Sequence, residues 1–520
     1  MAMHQLLSVL LISIPLLFFF AATANRAIPR WWLVQTVNAI TPVLSVAALG
    51  LVVFDRMYPQ GDSLHPWYWL NPSLLAPVML VLVSFIGLVI TRYSRNYLDG
   101  ESRQADYLGK LQFTLGAVSV VLLSNHLLVL VLGWTFISLG LHGLLLFYPE
   151  RPRAVLAAHK KFLFARLAEA CLLTASLLLY AHHGTWAISE IVAAYPVDSL
   201  SGTEATAAVL LAITALIKCA QLPVHGWLMQ VMEAPTPVSA LLHAGIVNLG
   251  GYLLLLFAPL LVVATAAQWL LLIVGGLTLV LASLVMMTRI SIKVKLAWST
   301  SAQMALMLVE CALGLFELAL LHLLAHSCYK AYAFLNAGST VEQDVMRRLA
   351  PSPQPTARTW LGAVLLAALL VLPLPLMLGG TQAFSPWLFM MAAIGVLLAE
   401  RGIAGGGRAW LAALLPAALM LTAYALQKLG AGLLAEPLAP SAGGYADAWV
   451  MSLAAVLFGA YWVLRYRPRS SLAHRFTIAL FAGFYLDEWS TRTTLRIWPA
   501  KLPVRINAKT LPVLQEEMPR

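Results

Sequence analysis

The chain has 520 residues, 61% hydrophobic and 11% charged, with a formal net charge of +11. Soluble domains carry about 25% charged residues, so a water-soluble enzyme is excluded. The positive excess reads as membrane-flanking loops, not as a nucleic-acid surface.

Stretches of roughly 20 apolar residues, each long enough to cross a bilayer, recur along the chain. They predict an all-α polytopic membrane protein, because only closed hydrogen bonding survives in lipid. In chain order the predicted spans are 5–22, 31–54, 73–91, 108–123, 126–147, 161–181, 205–232, 237–257, 267–288, 298–315, 317–338, 359–378, 385–399, 409–428 and 447–464, fifteen in all. The first is followed by "AATANRA", whose small residues suit a signal-peptide cleavage site. Only His4 precedes the apolar run, however, where a signal peptide carries a basic segment, so the span reads as a retained helix.

Charge supports the count. With the N-terminus outside, inner loops hold Arg26 and Arg30, then Arg92, Arg95 and Arg103, then Arg151, Arg153, Lys160 and Lys161. Later inner loops hold Arg289, Lys293 and Lys295, then Arg347, Arg348 and Arg358, then Arg401 and Arg408. The outer loops 182–204, 258–266 and 379–384 contain neither Lys nor Arg, as the positive-inside rule requires.

Span seven raises a chemical question. In "KCAQLPVHGWLMQVMEAPTPVSALLHAG", Lys218 lies well inside the apolar run and Pro223 follows five residues later. A buried ammonium costs at least a few kcal/mol unless paired, hydrated or neutral. Pro removes a backbone donor, and freed backbone groups at membrane depth are tolerated only against protein or water. A broken helix beside a lysine therefore marks a place where water enters and a proton is loaded and released. Snorkelling of the lysine to a helix end is the alternative. Further along, His322, His326 and Lys330 stand at i, i+4 and i+8, on one face of span eleven. With intervening water they suit a proton relay. The His322/His326 spacing also suits zinc, but the neighbouring sequence offers no third ligand. Glu169, Glu233, His243 and Glu310 are further titratable groups in or beside spans; together they suggest a polar axis, though each alone suits an interhelical hydrogen bond. Cys171, Cys219, Cys311 and Cys328 show no CxxC spacing and read as small buried hydrophobes.

Beyond the last span, 465–520 contain ten Lys/Arg against four Asp/Glu. "HRFTIALFAGFYLDEW" in that tail reads either as an interfacial amphipathic helix or as a docking element for a soluble partner. Phe484, Tyr485, Trp489, Arg492 and Trp498 are of types enriched in interface hot spots.

"KCAQLPVHGWLMQVMEAPTPVSALLHA", "SIKVKLAWSTSAQ" and "HLLAHSCYKAYAFLNAGS" resemble the hallmark motifs of antiporter-like subunits of respiratory complex I and Mrp-type cation/proton antiporters, over roughly 70–340. The resemblance implies two inverted five-helix repeats, each with a discontinuous helix. It divides the chain into N-terminal helices (1–107), a first repeat (108–257), a second repeat (267–400), C-terminal helices (408–464) and a basic cytoplasmic tail (465–520). It implies a proton pathway through Lys218, His243, Glu169, Lys293, His322, His326 and Lys330, with helix breaks at Pro223 and at Pro373 and Pro375. Two departures stand out. Thr135, in "LGWTFISLGLH", occupies the position of the family's helix-five glutamate, and "LVLPLPLM" carries no charge at the second break.

"GWTFISLGLHGLLLFYPERPRA" and "FYLDEWSTRTTLRIWP" are similar to the DabB branch, the membrane subunits of two-part bacterial systems that accumulate inorganic carbon. That resemblance implies a transporter subunit of the bacterial inner membrane. H⁺ or Na⁺ flow would energise CO₂ hydration on a cytoplasmic DabA-like partner, a zinc protein with a site like that of a β-carbonic anhydrase. Enzyme chemistry and zinc belong to the partner in this reading, and no cofactor is expected in this chain. A proton-pumping subunit of a complex I, hydrogenase or Mrp-type assembly is the alternative.

Overall fold

The computed structural model describes residues 2–58, 68–71, 73–195, 199–349, 355–377, 383–402, 407–431 and 443–499. Residues 500–520 of the tail and 379–382 of the last outer loop, both singled out above, lie outside the described residues. Among the described residues the secondary structure is helical, apart from two isolated bridges, Leu70 with Ser124 and His126 with Ala187.

Every predicted span meets a helix or a helix pair. The first six are α1 (Ala2–Ala24), α2 (Trp31–Met57), α3 (Leu75–Tyr97), α4 (Gln104–Leu123), α5 (Leu127–Leu145) and α6 (Pro152–His183). A short α7 (Ile188–Ala193) follows in the loop. Span seven is split into α8 (Gly202–Lys218) and α9 (Gly226–Gln230), continued by a 3-10 turn at Val231–Glu233. Span eight is α10 (Thr236–Leu241), a π-helical segment (Leu242–Ile246) and α11 (Leu249–Leu256). After α12 (Ala258–Val263) come α13 (Thr265–Met287), α14 (Ile292–Ala312) and α15 (Phe316–Leu335), then the polar α16 (Thr340–Leu349). Span twelve is broken into α17 (Ala357–Val371) and α18 (Leu374–Met377), with Pro373 in the break and Pro375 just beyond it. The series ends with α19 (Ser385–Gly402), α20 (Gly407–Ala431) and α21 (Gly443–Tyr466), followed by α22 (Ser471–Phe481) and α23 (Glu488–Ile497) in the tail. The discontinuous helix is thus fourth in each run of five, as two inverted repeats require.

Among the described residues ten helical spans are long and apolar enough to cross a membrane, counting α10, the π-helical segment and α11 as one, and α17, α19 and α20 contain shorter apolar stretches. The break ends α8 at 17 residues. The other predicted span outside the ten, α14, carries Lys293, Lys295 and Glu310 among Ser, Thr and Gln residues.

Local sequence sets the boundaries. Ser201 opens α8 with a capping box: its hydroxyl accepts from the Glu204 amide, and Glu204 accepts from the Ser201 amide at 2.9 Å. Gly184 closes α6 at φ 69°, a left-handed conformation that glycine adopts without strain. Since lipid provides no hydrophobic drive between apolar helices, small residues and polar pairs hold the bundle. Asn38 donates to Gln112 at 2.9 Å between α2 and α4. A Cβ on Gly250 would lie 2.6 Å from Cys219 Sγ and 3.0 Å from the Ala215 carbonyl, so α11 crosses α8 at glycine distance.

The helices through α15 share one large core. A smaller cluster, including Ala363, Ile394, Leu398 and Ala417, ties α17, α19 and α20 together. Asp447 of α21, buried, accepts from the Phe384 and Ser385 amides at 2.8 and 2.9 Å and caps α19. Apolar side chains such as Leu16, Phe20, Val43, Leu415 and Leu419 face outward, as a lipid-facing surface does.

Candidate functional site

The break after α8 is a built feature. Ala220 takes φ 52°, a region that non-glycine residues rarely use. The backbone groups released there find side-chain partners from α13 and α14. Ser301 donates to the Ala220 carbonyl at 2.8 Å, and the Leu222 amide donates to Thr278 at 3.1 Å. Gln221 donates to the Cys219 and Ser301 carbonyls at 2.7 and 3.3 Å. Irregular backbone at membrane depth is thereby satisfied by protein.

Lys218 is the last residue of α8, and its side chain is 13% exposed. Its Nζ donates to Glu169 Oε1 at 3.2 Å. The other Glu169 oxygen pairs with Arg166 at 2.7 Å and accepts from Thr135 Oγ1 at 3.5 Å. The helix-five position that holds Thr135 thus lies beside the carboxylate after all: α6 delivers it, one helix later. Lys161, buried, donates to the Ser138 carbonyl at 2.9 Å and hydroxyl at 3.1 Å. A cavity of about 30 Å³ lies among Trp134, Ser138, Lys161, Lys218 and Trp227, enough for one water molecule.

A second cluster forms where α11, α14 and α15 meet. His243 lies in the π-helical segment, a distortion frequent at functional sites. It is fully buried, shares a hydrogen bond of 3.0 Å with Thr300 and stacks on Phe334 at 4.4 Å. Lys330, also fully buried, donates to Ser299 at 2.7 Å and to the Leu296 carbonyl at 3.2 Å. Both ring nitrogens of buried His326, and His243 Nε2, have no protein partner among the described residues. His322 bonds Glu310 through Nδ1 at 3.1 Å and Gln303 through Nε2 at 2.8 Å. Lys293, in the first turn of α14, donates to Thr236 at 2.9 Å. Glu233 stands half-buried in the 3-10 turn after α9.

Two placements differ from the sequence reading. Lys160 and Lys161 were assigned to an inner loop, but α6 begins at Pro152, so both lie within the helix and are buried. The tail, which the sequence leaves open between an interfacial helix and a docking element, packs part of its aromatic face on the bundle itself. Trp498 stacks on His159 at 3.7 Å, and Phe484 packs with Phe476 against the α13–α14 side of the core. Trp489 faces Phe164 edge-on at 6.1 Å. Arg289 donates to the Leu480 and Phe481 carbonyls at 3.0 and 3.1 Å. Tyr485 remains 67% exposed, and Arg492 pairs with Glu488 at the surface.

The sequence does not mark Arg166, Lys160, Lys161, Ser299, Thr300 or Asp487 as site residues. For the lysines the available signal was "AAHKKFLFAR", which lacks any turn residue between charge and apolar run. Among the described residues, His182, His183 and Glu204 form the one group of three whose ligand atoms approach closely enough for a metal. Glu204 is already bonded there to Ser201 and to Tyr195, at 2.6 Å from the phenol. Burial, then the Glu204 carboxylate, push the Tyr195 phenol up.

Residues 124–379 match the family model described as "NADH:quinone oxidoreductase/Mrp antiporter, TM". The chain is 49% identical to "Probable inorganic carbon transporter subunit DabB" of Hydrogenovibrio crunogenus, across 98% of both chains. It is 38% identical to "Probable inorganic carbon transporter subunit DabB2" of Halothiobacillus neapolitanus, across 82% of this chain and 80% of that one. Among solved structures it resembles a chain of the Mrp complex from a Dietzia species, with a TM-score of 0.60, 24% identity and coverage of 95% of this chain and 60% of that one.

Proposed function

The chain belongs to the DabB family of inorganic carbon transporter subunits, and from that premise we propose that it conducts H⁺ or Na⁺ to energise inorganic carbon uptake. The cation gradient would drive CO₂ hydration or bicarbonate accumulation on a cytoplasmic DabA-like partner that holds zinc in a carbonic-anhydrase-like site. The proposed setting is the bacterial inner membrane, with the N-terminus outside and the tail in the cytoplasm.

The observation that carries this reading is the buried Lys218–Glu169 pair at the break, at 3.2 Å. A charged pair held beside irregular backbone costs desolvation on both sides and, as an intramembrane ionisable pair, suits ion movement. A cation reaching Glu169 neutralises the carboxylate and weakens its hold on Lys218. The lysine is then free to pass its proton towards the second cluster. There Lys330, His326 and His243 offer exchangeable sites, and His322 with Glu310 offers an exit. The uncharged α17–α18 break adds no further site to this path.

The test uses the copurified complex in vesicles. An imposed pH or sodium gradient should drive accumulation of labelled inorganic carbon, and Lys218→Ala should abolish it while the partner stays bound. Uptake that persists after ionophores collapse both gradients would sink the proposal.

A further inference from the structure

The tail brings a carboxylate to a point that the path above does not use. Asp487 lies just ahead of α23 and accepts from Lys160 Nζ at 2.8 and 2.9 Å, from Gln230 Nε2 at 3.1 Å and from Ser490 Oγ at 2.7 Å. The Lys160 side chain is 0% exposed and that of Asp487 28%. A buried ammonium needs a partner, and this one comes from 327 positions further along the chain. The carboxylate rests on the backbone of Gly226, where α9 resumes after the break; a Cβ at that position would collide with it.

A cavity of about 490 Å³ opens at the same point, lined by His225, Gln230, Arg289, Tyr485, Asp487 and Arg492. Among the described residues, His225 Nδ1 and Gln230 Oε1 are buried without protein partners, which suits bound water. Lys161 follows Lys160 on α6 and points about 100° around the helix axis, to Ser138 and the small cavity it shares with Lys218. Two consecutive lysines therefore lie between the wide cavity under the tail and the water-sized space beside Lys218.

We propose that Asp487 is the inlet carboxylate of the first half of the cation path, and that α22 and α23 hold it over the helix break. A proton or sodium ion arriving from water in the wide cavity binds the carboxylate, neutralises it and releases Lys160 from its ion pair. Lys160 then passes its proton on towards Lys161, and a proton from Asp487 or from the cavity water reloads Lys160 and restores the pair, any bound sodium ion returning to the water. The tail is then part of the conducting machinery as well as a surface element. This inference rests on the ion-conducting reading.

The test reconstitutes the full chain with its copurified partner in phosphatidylethanolamine–phosphatidylglycerol vesicles. Proton flux is read by an internal pH dye and sodium flux by radiolabel. Asp487→Asn keeps the shape, and the Asp487→Asn/Lys160→Met pair also removes the unpaired ammonium that would destabilise the single variant. Both should lose flux by roughly a hundredfold, the scale of a positioned proton-transfer group, while the partner remains bound. Asp487→Glu should recover part of the flux. A double variant with wild-type unfolding midpoint and wild-type flux would reduce Asp487 to an anchor and overturn the inference. If Lys218→Ala abolishes flux in the same vesicles, only the inference falls; if Lys218→Ala also conducts normally, the ion-conducting reading falls with it.

Discussion

Replacing Glu169 with Gln removes the carboxylate that holds Lys218 at 3.2 Å and Arg166 at 2.7 Å. At an effective dielectric of about 20, two unit charges 3.2 Å apart attract by about 5 kcal/mol. Desolvation of both groups offsets part of this, and measured coupling for close charge pairs spans about 1.5–7 kcal/mol, so about 3 kcal/mol is expected here. Glu169→Gln alone leaves two cations side by side and should cost about 3–5 kcal/mol, the usual effect of removing one partner from a buried pair. Lys218→Met alone should cost less, since Glu169 keeps Arg166. The double variant should therefore be nearer to Lys218→Met than to the sum of the two singles. The assay is a double-mutant cycle on the detergent-solubilised chain, unfolded by denaturant and followed by tryptophan fluorescence, with vesicle flux measured on the same variants. Coupling below about 0.5 kcal/mol, the level of exposed ion pairs, together with normal flux in Glu169→Gln, would refute the claim that this pair is charged and in the path.

Lys218→Arg should fail as completely as Lys218→Ala in uptake assays, because Arg does not release its proton in this range; normal transport by the arginine variant would remove Lys218 as a proton carrier. His326→Leu and Lys330→Met should each block flux, and Glu310→Gln should slow it by loosening His322, all read in the same vesicles. Stoichiometric zinc bound to the isolated chain and lost in a His322/His326 double variant would instead favour a metal site. Thr135→Glu should lower activity, because a second carboxylate would crowd Glu169, now 3.5 Å from the threonine hydroxyl, and hold the Lys218 ammonium more firmly; a clear gain in flux would contradict this. Tyr485→Ala combined with Arg492→Glu alters only exposed tail positions and should reduce copurification of the partner without changing the unfolding midpoint. Unchanged stoichiometry would place docking elsewhere.

The helices were legible because the bilayer imposes a length and a composition that hydropathy reads directly. The break in span seven was legible because Lys218 and Pro223 violate that composition within five residues. Boundaries were less so. Span six was begun at 161, whereas Pro152 at the first helical turn starts α6 nine residues earlier, and that shift turned two loop lysines into buried ones. The aromatic tail shows the same limit. Residue type announced an interface, but not that His159, Phe164 and Lys160 of the chain itself would occupy much of it.

By itself the sequence determined the class of the protein, the order of its helices, the break after Lys218 and the burial of Lys218, Lys330, His243 and His326, since each follows from periodicity, chain stiffness or the cost of charge in lipid; the second break came from the family resemblance. Only the tertiary structure decided the partners. Glu169 reaches Lys218 across 49 positions, Lys330 finds Ser299 across 31, and Asp487 reaches Lys160 across 327. Pairings of that kind depend on how helices are rotated and stacked against one another. A carboxylate can therefore come from α6 in place of α5, or from the tail, with the local sequence giving no sign of which lysine it meets.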